Sequence, residues 1–71
     1  MKILANGTKV VLNDKTDIKH WRMHGGSFVE LGEEMTISGY TISELSNRIW
    51  YKINFKDTYG LIGGEYLTEI K

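Results

Sequence analysis

The segment Trp50-Tyr51-Lys52-Ile53-Asn54-Phe55 constrains this chain more than any other stretch. Successive side chains of a strand point to opposite faces, so Tyr51, Ile53 and Phe55 share one face and Trp50, Lys52 and Asn54 the other. The first set reads as a core face. Lys56 and Asp57 are turn formers, after which Tyr59, Leu61 and Ile62 resume an apolar run. Gly60 lies inside that run, where a missing Cβ admits a bulge or a close backbone approach. Together these residues predict a hairpin. Gly63 and Gly64 then relax the backbone, and Glu65, Tyr66 and Leu67 follow in a span too short for an ordinary helix. A single 3₁₀ turn before a closing strand is the expectation.

The rest of the chain reads as further short strands. Asn6-Gly7 is a turn, and Lys9 to Leu12 is a Val-Val-Leu strand stopped by Asn13-Asp14. An extended piece over Asp17 to Met23 has no strict period, and Gly25-Gly26 breaks it. Ser27 to Leu31 predicts a short strand turned by Gly32. Met35 to Tyr40 alternates, with Met35, Ile37 and Gly39 on one face and Thr36, Ser38 and Tyr40 on the other. Thr41 to Asn47 is read as a structured loop, because a helix opened by Thr41 and Glu44 would end within about two turns.

A chain of 71 residues is one domain and buries only roughly 60% of its unfolded surface, so its core is marginal without a second chain. A homodimer is therefore one possible assembly. There is no cysteine, hence neither a disulfide framework nor a thiolate metal site, and no proline. Net charge is zero, which argues against nonspecific attraction to nucleic acid or an anionic membrane. The distribution is uneven: Lys2, Lys9, Lys15, Lys19 and Arg22 crowd the start, and Glu30, Glu33, Glu34 and Glu44 the middle. Solvated loops that pair across the folded domain are the simpler reading, and a designed charged face is the alternative. Ile3, Leu4 and Ala5 fall far short of the roughly 7 to 15 apolar residues of a signal-peptide core. No run approaches the about 20 residues of a membrane span. The location expected is cytoplasmic if the chain is a complete protein and the cell wall if it is cut from a larger one.

The order of parts resembles the bacterial SH3-like domain. Trp50, Tyr51, Lys52 and Ile53 stand in its Trp-Tyr-Lys-Val strand, Gly60, Leu61 and Ile62 in its Gly-containing strand, and Tyr66 and Leu67 in its closing turn. Val29, Leu31, Gly32, Met35 and Ile37 follow the preceding part of the pattern, so the resemblance covers residues 27–70. Leu61 departs from it, since the family commonly has Trp there and uses it in the binding groove. The family's Asn-Val-Arg motif is not recognisable in the first 26 residues. The resemblance implies an all-β fold, a small five- or six-stranded SH3-like barrel with a short 3₁₀ turn before the last strand. Closing a sheet in this way removes its exposed edges, which suits a small chain.

Catalytic equipment is not apparent. His20 and His24 are four apart, a spacing that pairs imidazoles on a helix, yet no third ligand is evident and Gly-Gly follows at once. Two loop histidines are the simpler reading. Glu33 and Glu34 are adjacent and on a strand face opposite ways. No nucleophile sits on a Gly-flanked elbow, and Gly60 and Gly63-Gly64 lack the Lys-Ser/Thr and helix start of a phosphate loop. The expectation is a non-enzymatic protein with no cofactor and no metal.

An aromatic surface remains. Trp50 projects away from the core face, and an outward Trp exposes apolar area unless something covers it. The resemblance places Tyr66 near it, Trp21 or Tyr40 could complete a shallow groove, and Lys52 shares the Trp50 face. Alternatively, Trp50 caps an open barrel end or packs under the Thr41 to Asn47 loop. Three functions follow. The first is a cell-wall module for peptidoglycan peptides, and the second a small intracellular bacterial or phage protein that docks on a partner protein. The third is a nucleic-acid-binding barrel, which needs a basic track for which only Lys52, Arg48 and the N-terminal lysines are candidates. Proline-rich peptides are not expected ligands. Eukaryotic SH3 domains, which share the Trp and Tyr positions, hold them with an Ala-Leu-Tyr-Asp-Tyr segment and a proline before the closing Tyr, and neither is present.

Overall fold

The computed structural model describes residues 3–15 and 17–70. Lys2, counted above with the basic N-terminal residues, lies outside them. The strands are β1 (Lys9–Leu12), β2 (His20–Arg22), β3 (Phe28–Glu30), β4 (Glu34–Ser43), β5 (Arg48–Phe55), β6 (Thr58–Gly63) and β7 (Leu67–Glu69), with 3₁₀ turns at His24–Gly26 and Gly64–Tyr66. The all-β reading, the Lys9–Leu12 strand, the hairpin after Trp50 and the closing 3₁₀ turn all appear where the residues place them.

The barrel does not. The main sheet has five strands in the order β6-β5-β4-β1-β7, each antiparallel to its neighbour, and β2 with β3 forms a separate two-stranded ribbon. Closure would require β6 and β7 to pair, and they stand at opposite edges of an open ladder. β7 has three residues and spends its ladder on β1, while the outward carbonyl of Leu61 on β6 accepts the Trp21 indole N–H at 3.0 Å. The edge that a closed sheet would use is thus engaged by a side chain. The five- or six-stranded SH3-like barrel is corrected to an open five-stranded sheet with a docked ribbon.

A second correction concerns β4. It runs on through Thr41, Ile42 and Ser43, which pair with Trp50, Ile49 and Arg48, so the expected loop shrinks to a turn over residues 44–47. Asn47 takes the left-handed conformation that closes this turn. A bulge between Ile37 and Gly39 also shifts the register: Ile37 faces Ile53, but Gly39 faces Lys52 and Tyr40 faces Tyr51. An inserted residue swaps the faces of everything beyond it. Tyr40 therefore lies on the core side of the sheet, and Gly39 on the outer side, the reverse of strict alternation.

The core follows the alternation of β5, where Ile49, Tyr51, Ile53 and Phe55 are buried while Trp50, Lys52 and Asn54 are not. Val10, Leu12, Met35, Ile37, Val29, Ile62 and Leu67 complete it from the other strands. Met23, on the connection between β2 and β3, is 3% exposed although its segment shows no apolar period. Its side chain fills the space above Gly60: a Cβ built there would sit 2.9 Å from the Met23 sulfur. Gly60 is thus the close-approach glycine that the β6 sequence implies. No helix among the described residues is long and apolar enough to cross a membrane.

Candidate functional site

Period-2 geometry places Arg48 and Trp50 on the same outer face of β5. Opposite Trp50 across the ladder is Gly63. A Cβ at Gly63 would meet Arg48 Nε and Nη2 at 3.3 Å and run into the Glu65 carboxylate, so its absence leaves the floor on which these groups lie. The 3₁₀ turn that follows brings Glu65 and Tyr66 back to this floor. Arg48 Nε donates to Glu65 Oε2 at 3.0 Å, Nη2 pairs with Oε1, and Nη2 also donates to the Tyr66 hydroxyl at 3.4 Å.

The guanidinium carbon lies 4.6 Å from the centre of the Trp50 ring and 5.6 Å from that of Tyr66, a cation over two aromatic faces. Trp21, from the separate ribbon, leans on both rings: its centroid is 4.9 Å from Tyr66 and 6.4 Å from Trp50, tilted 45° and 54°. Its hydrogen bond to Leu61 fixes the indole against the β6 edge. The hydrogen bonds that Arg48 donates to Glu65 first, and then to Tyr66, raise its pKa above the ordinary value. Trp21, Trp50 and Tyr66 are all half-buried. Rings from three separate elements thus form one half-buried platform.

Of the residues expected at a binding surface, Trp50, Tyr66 and Trp21 come together. Lys52 shares the Trp50 face, one step further along β5. Tyr40 is carried to the opposite face by the β4 bulge and stands apart from the cluster. The alternative for Trp50, a residue packed under a long loop, disappears with the loop, since Thr41 is its ladder partner. Two residues of the cluster escape sequence reasoning. Arg48 counted only toward a basic track, and Glu65 not at all. The Arg-x-Trp spacing was the available signal for the first, because it sets both on one strand face. Nothing local announces that Glu65 returns to Arg48.

The histidines have separate surroundings. His20 meets the edge of Phe28 at 5.1 Å and His24 stacks on Tyr59 at 4.6 Å and 14°. Among the described residues no group of three or more His, Cys, Asp or Glu side chains is arranged to hold a metal ion.

Comparison with family models, curated proteins and solved structures finds no match to this chain. The resemblance to bacterial SH3-like domains therefore has no homologous support, and the open sheet removes the barrel on which it rested. The functions drawn from it lose the barrel as their basis: the peptidoglycan module, the small intracellular bacterial or phage protein docking through a barrel, and the nucleic-acid-binding barrel.

Proposed function

We propose that this protein works by binding rather than by catalysis, and that the Trp21–Trp50–Tyr66 platform holds a peptide segment of a partner protein through an apolar or aromatic anchor. The observation that carries this reading is the convergence of three half-buried rings from β2, β5 and the 3₁₀ turn on one surface. Such rings present large area with few rotors to freeze, which favours them as anchors at protein interfaces. Arg48 sits over Trp50 with its charge met by Glu65, so the cluster has no uncompensated cation at its centre. Docking on a partner also gives cover to apolar surface that a chain this small cannot bury alone.

Selection of a random peptide display library on the purified protein tests the reading. Peptides with a shared apolar anchor should be enriched, and their binding should be lost in Trp50→Ala and retained in Tyr40→Ala, which alters the opposite face. Enriched peptides that bind Trp50→Ala as well as the parent would overturn the platform.

A further inference from the structure

The platform does not end at Trp50. Leu61, whose carbonyl holds Trp21, also lines a groove of about 690 Å³ that continues along the outer face of β5 and β6. Arg22 and Lys52 line this groove, with the His24–Tyr59 stack and Asn54 beside them, and its lining among the described residues contains no carboxylate. Three of the other cations have side-chain partners. Arg48 is paired with Glu65, Lys56 stands 3.8 Å from Glu33, and Lys9 donates to Thr36 at 2.8 Å. Arg22 and Lys52 have no ion-pair partner among the described residues. They come from different elements, the ribbon and the main sheet, and reach one concavity. A volume in the range of ligand sites, apolar walls and two unpaired cations make it complementary to an extended acidic segment.

We infer that the segment bound by this protein is acidic: its apolar anchor rests on the platform, and Asp or Glu side chains next to it lie in the groove against Arg22 and Lys52. This rests on the binding role proposed above and adds the chemistry of the ligand. The continuity at Leu61 sets the geometry, because anchor and carboxylates then belong to one short stretch of chain. An exposed ion pair contributes about 0.2–1 kcal/mol, so each cation should be worth up to about fivefold in affinity, with a salt dependence that the aromatic contacts lack.

The same display selection, repeated on Lys52→Gln and Arg22→Gln, separates this inference from the one beneath it. Both side chains are exposed, and unchanged near-ultraviolet circular dichroism would show that the variants keep the fold. Expected is enrichment of Asp and Glu beside the apolar anchor on the parent protein. Affinity for those peptides should fall about 1.4- to fivefold in either variant and weaken as sodium chloride is raised. Enrichment of the anchor without acidic neighbours, with affinity untouched by Lys52→Gln, would overturn the acidic segment and leave the platform standing. Failure of any peptide to enrich would overturn both readings. A fluorescein-labelled oligothymidylate that binds in place of peptides, and less well in Lys52→Gln, would also overturn both and assign the groove to phosphates.

Discussion

The two edges of the main sheet are managed in different ways. At β6 a separate ribbon closes over the edge with side chains: Trp21 caps the Leu61 carbonyl, Met23 fills the space left by Gly60, and Thr58 donates to the His24 carbonyl at 2.6 Å. At β7 the edge is simply short, three residues paired with β1. It is anchored at its start by Asn13, whose backbone N–H donates to Tyr66 O at 2.8 Å and whose side chain donates to Glu65 O at 3.1 Å. An exposed strand edge invites pairing with another chain, and both solutions blunt it. The difference is that covering an edge with aromatic side chains creates a surface, whereas shortening it does not. The Trp21–Trp50–Tyr66 platform exists because the β6 edge is covered.

This contrast can be broken from the β6 side most severely. Met23→Ala empties a buried site and should cost about 2–5 kcal/mol in urea unfolding, loosening the ribbon and with it Trp21. A cost below about 1 kcal/mol would mean that the ribbon is held by its own ladder instead. Gly60→Ala drives a methyl into the Met23 sulfur and should cost about 1–3 kcal/mol. Combined with Met23→Ala, the same substitution should cost less than the sum, since the methyl then enters the vacated space. Additive losses would show that the two residues are not coupled. The β7 side should respond least. Asn13→Ala removes a side chain that donates to Glu65 O and accepts from the Lys15 N–H at 3.1 Å, and about 1 kcal/mol is expected. Indole fluorescence should stay that of the parent, because β7 contributes no strand residue to the platform. A changed emission would tie the two edges together through the 3₁₀ turn.

The β5–β6 hairpin was legible because its information is local. Alternation from Trp50 to Phe55 names the buried face, Lys56-Asp57 names the turn, and two successive glycines name the place where strand gives way to 3₁₀ turn. The ribbon was nearly illegible for the opposite reason. β2 and β3 have three residues each, too few for a period to register, and Met23 is buried by a glycine on a distant strand rather than by its own pattern. Tyr40 was assigned to the wrong face because one bulged residue in β4 reverses the alternation beyond it, and no residue type in Ile37-Ser38-Gly39 announces the insertion unambiguously. The platform was half legible: Trp50 as an outward aromatic was evident, whereas the return of Glu65 to Arg48 was not.

Sequence alone determined the class of this protein, all-β, with its β5–β6 hairpin, its buried β5 face and the outward course of Trp50, because those depend on side-chain period and turn chemistry within a few residues. Tertiary structure decided that the sheet stays open, which edge the ribbon covers, and which aromatic residues meet. Those outcomes depend on contacts between residues far apart in the chain, such as Trp21 with Leu61 and Arg48 with Glu65. No local pattern encodes the distance between two segments that are brought together only when the whole chain packs.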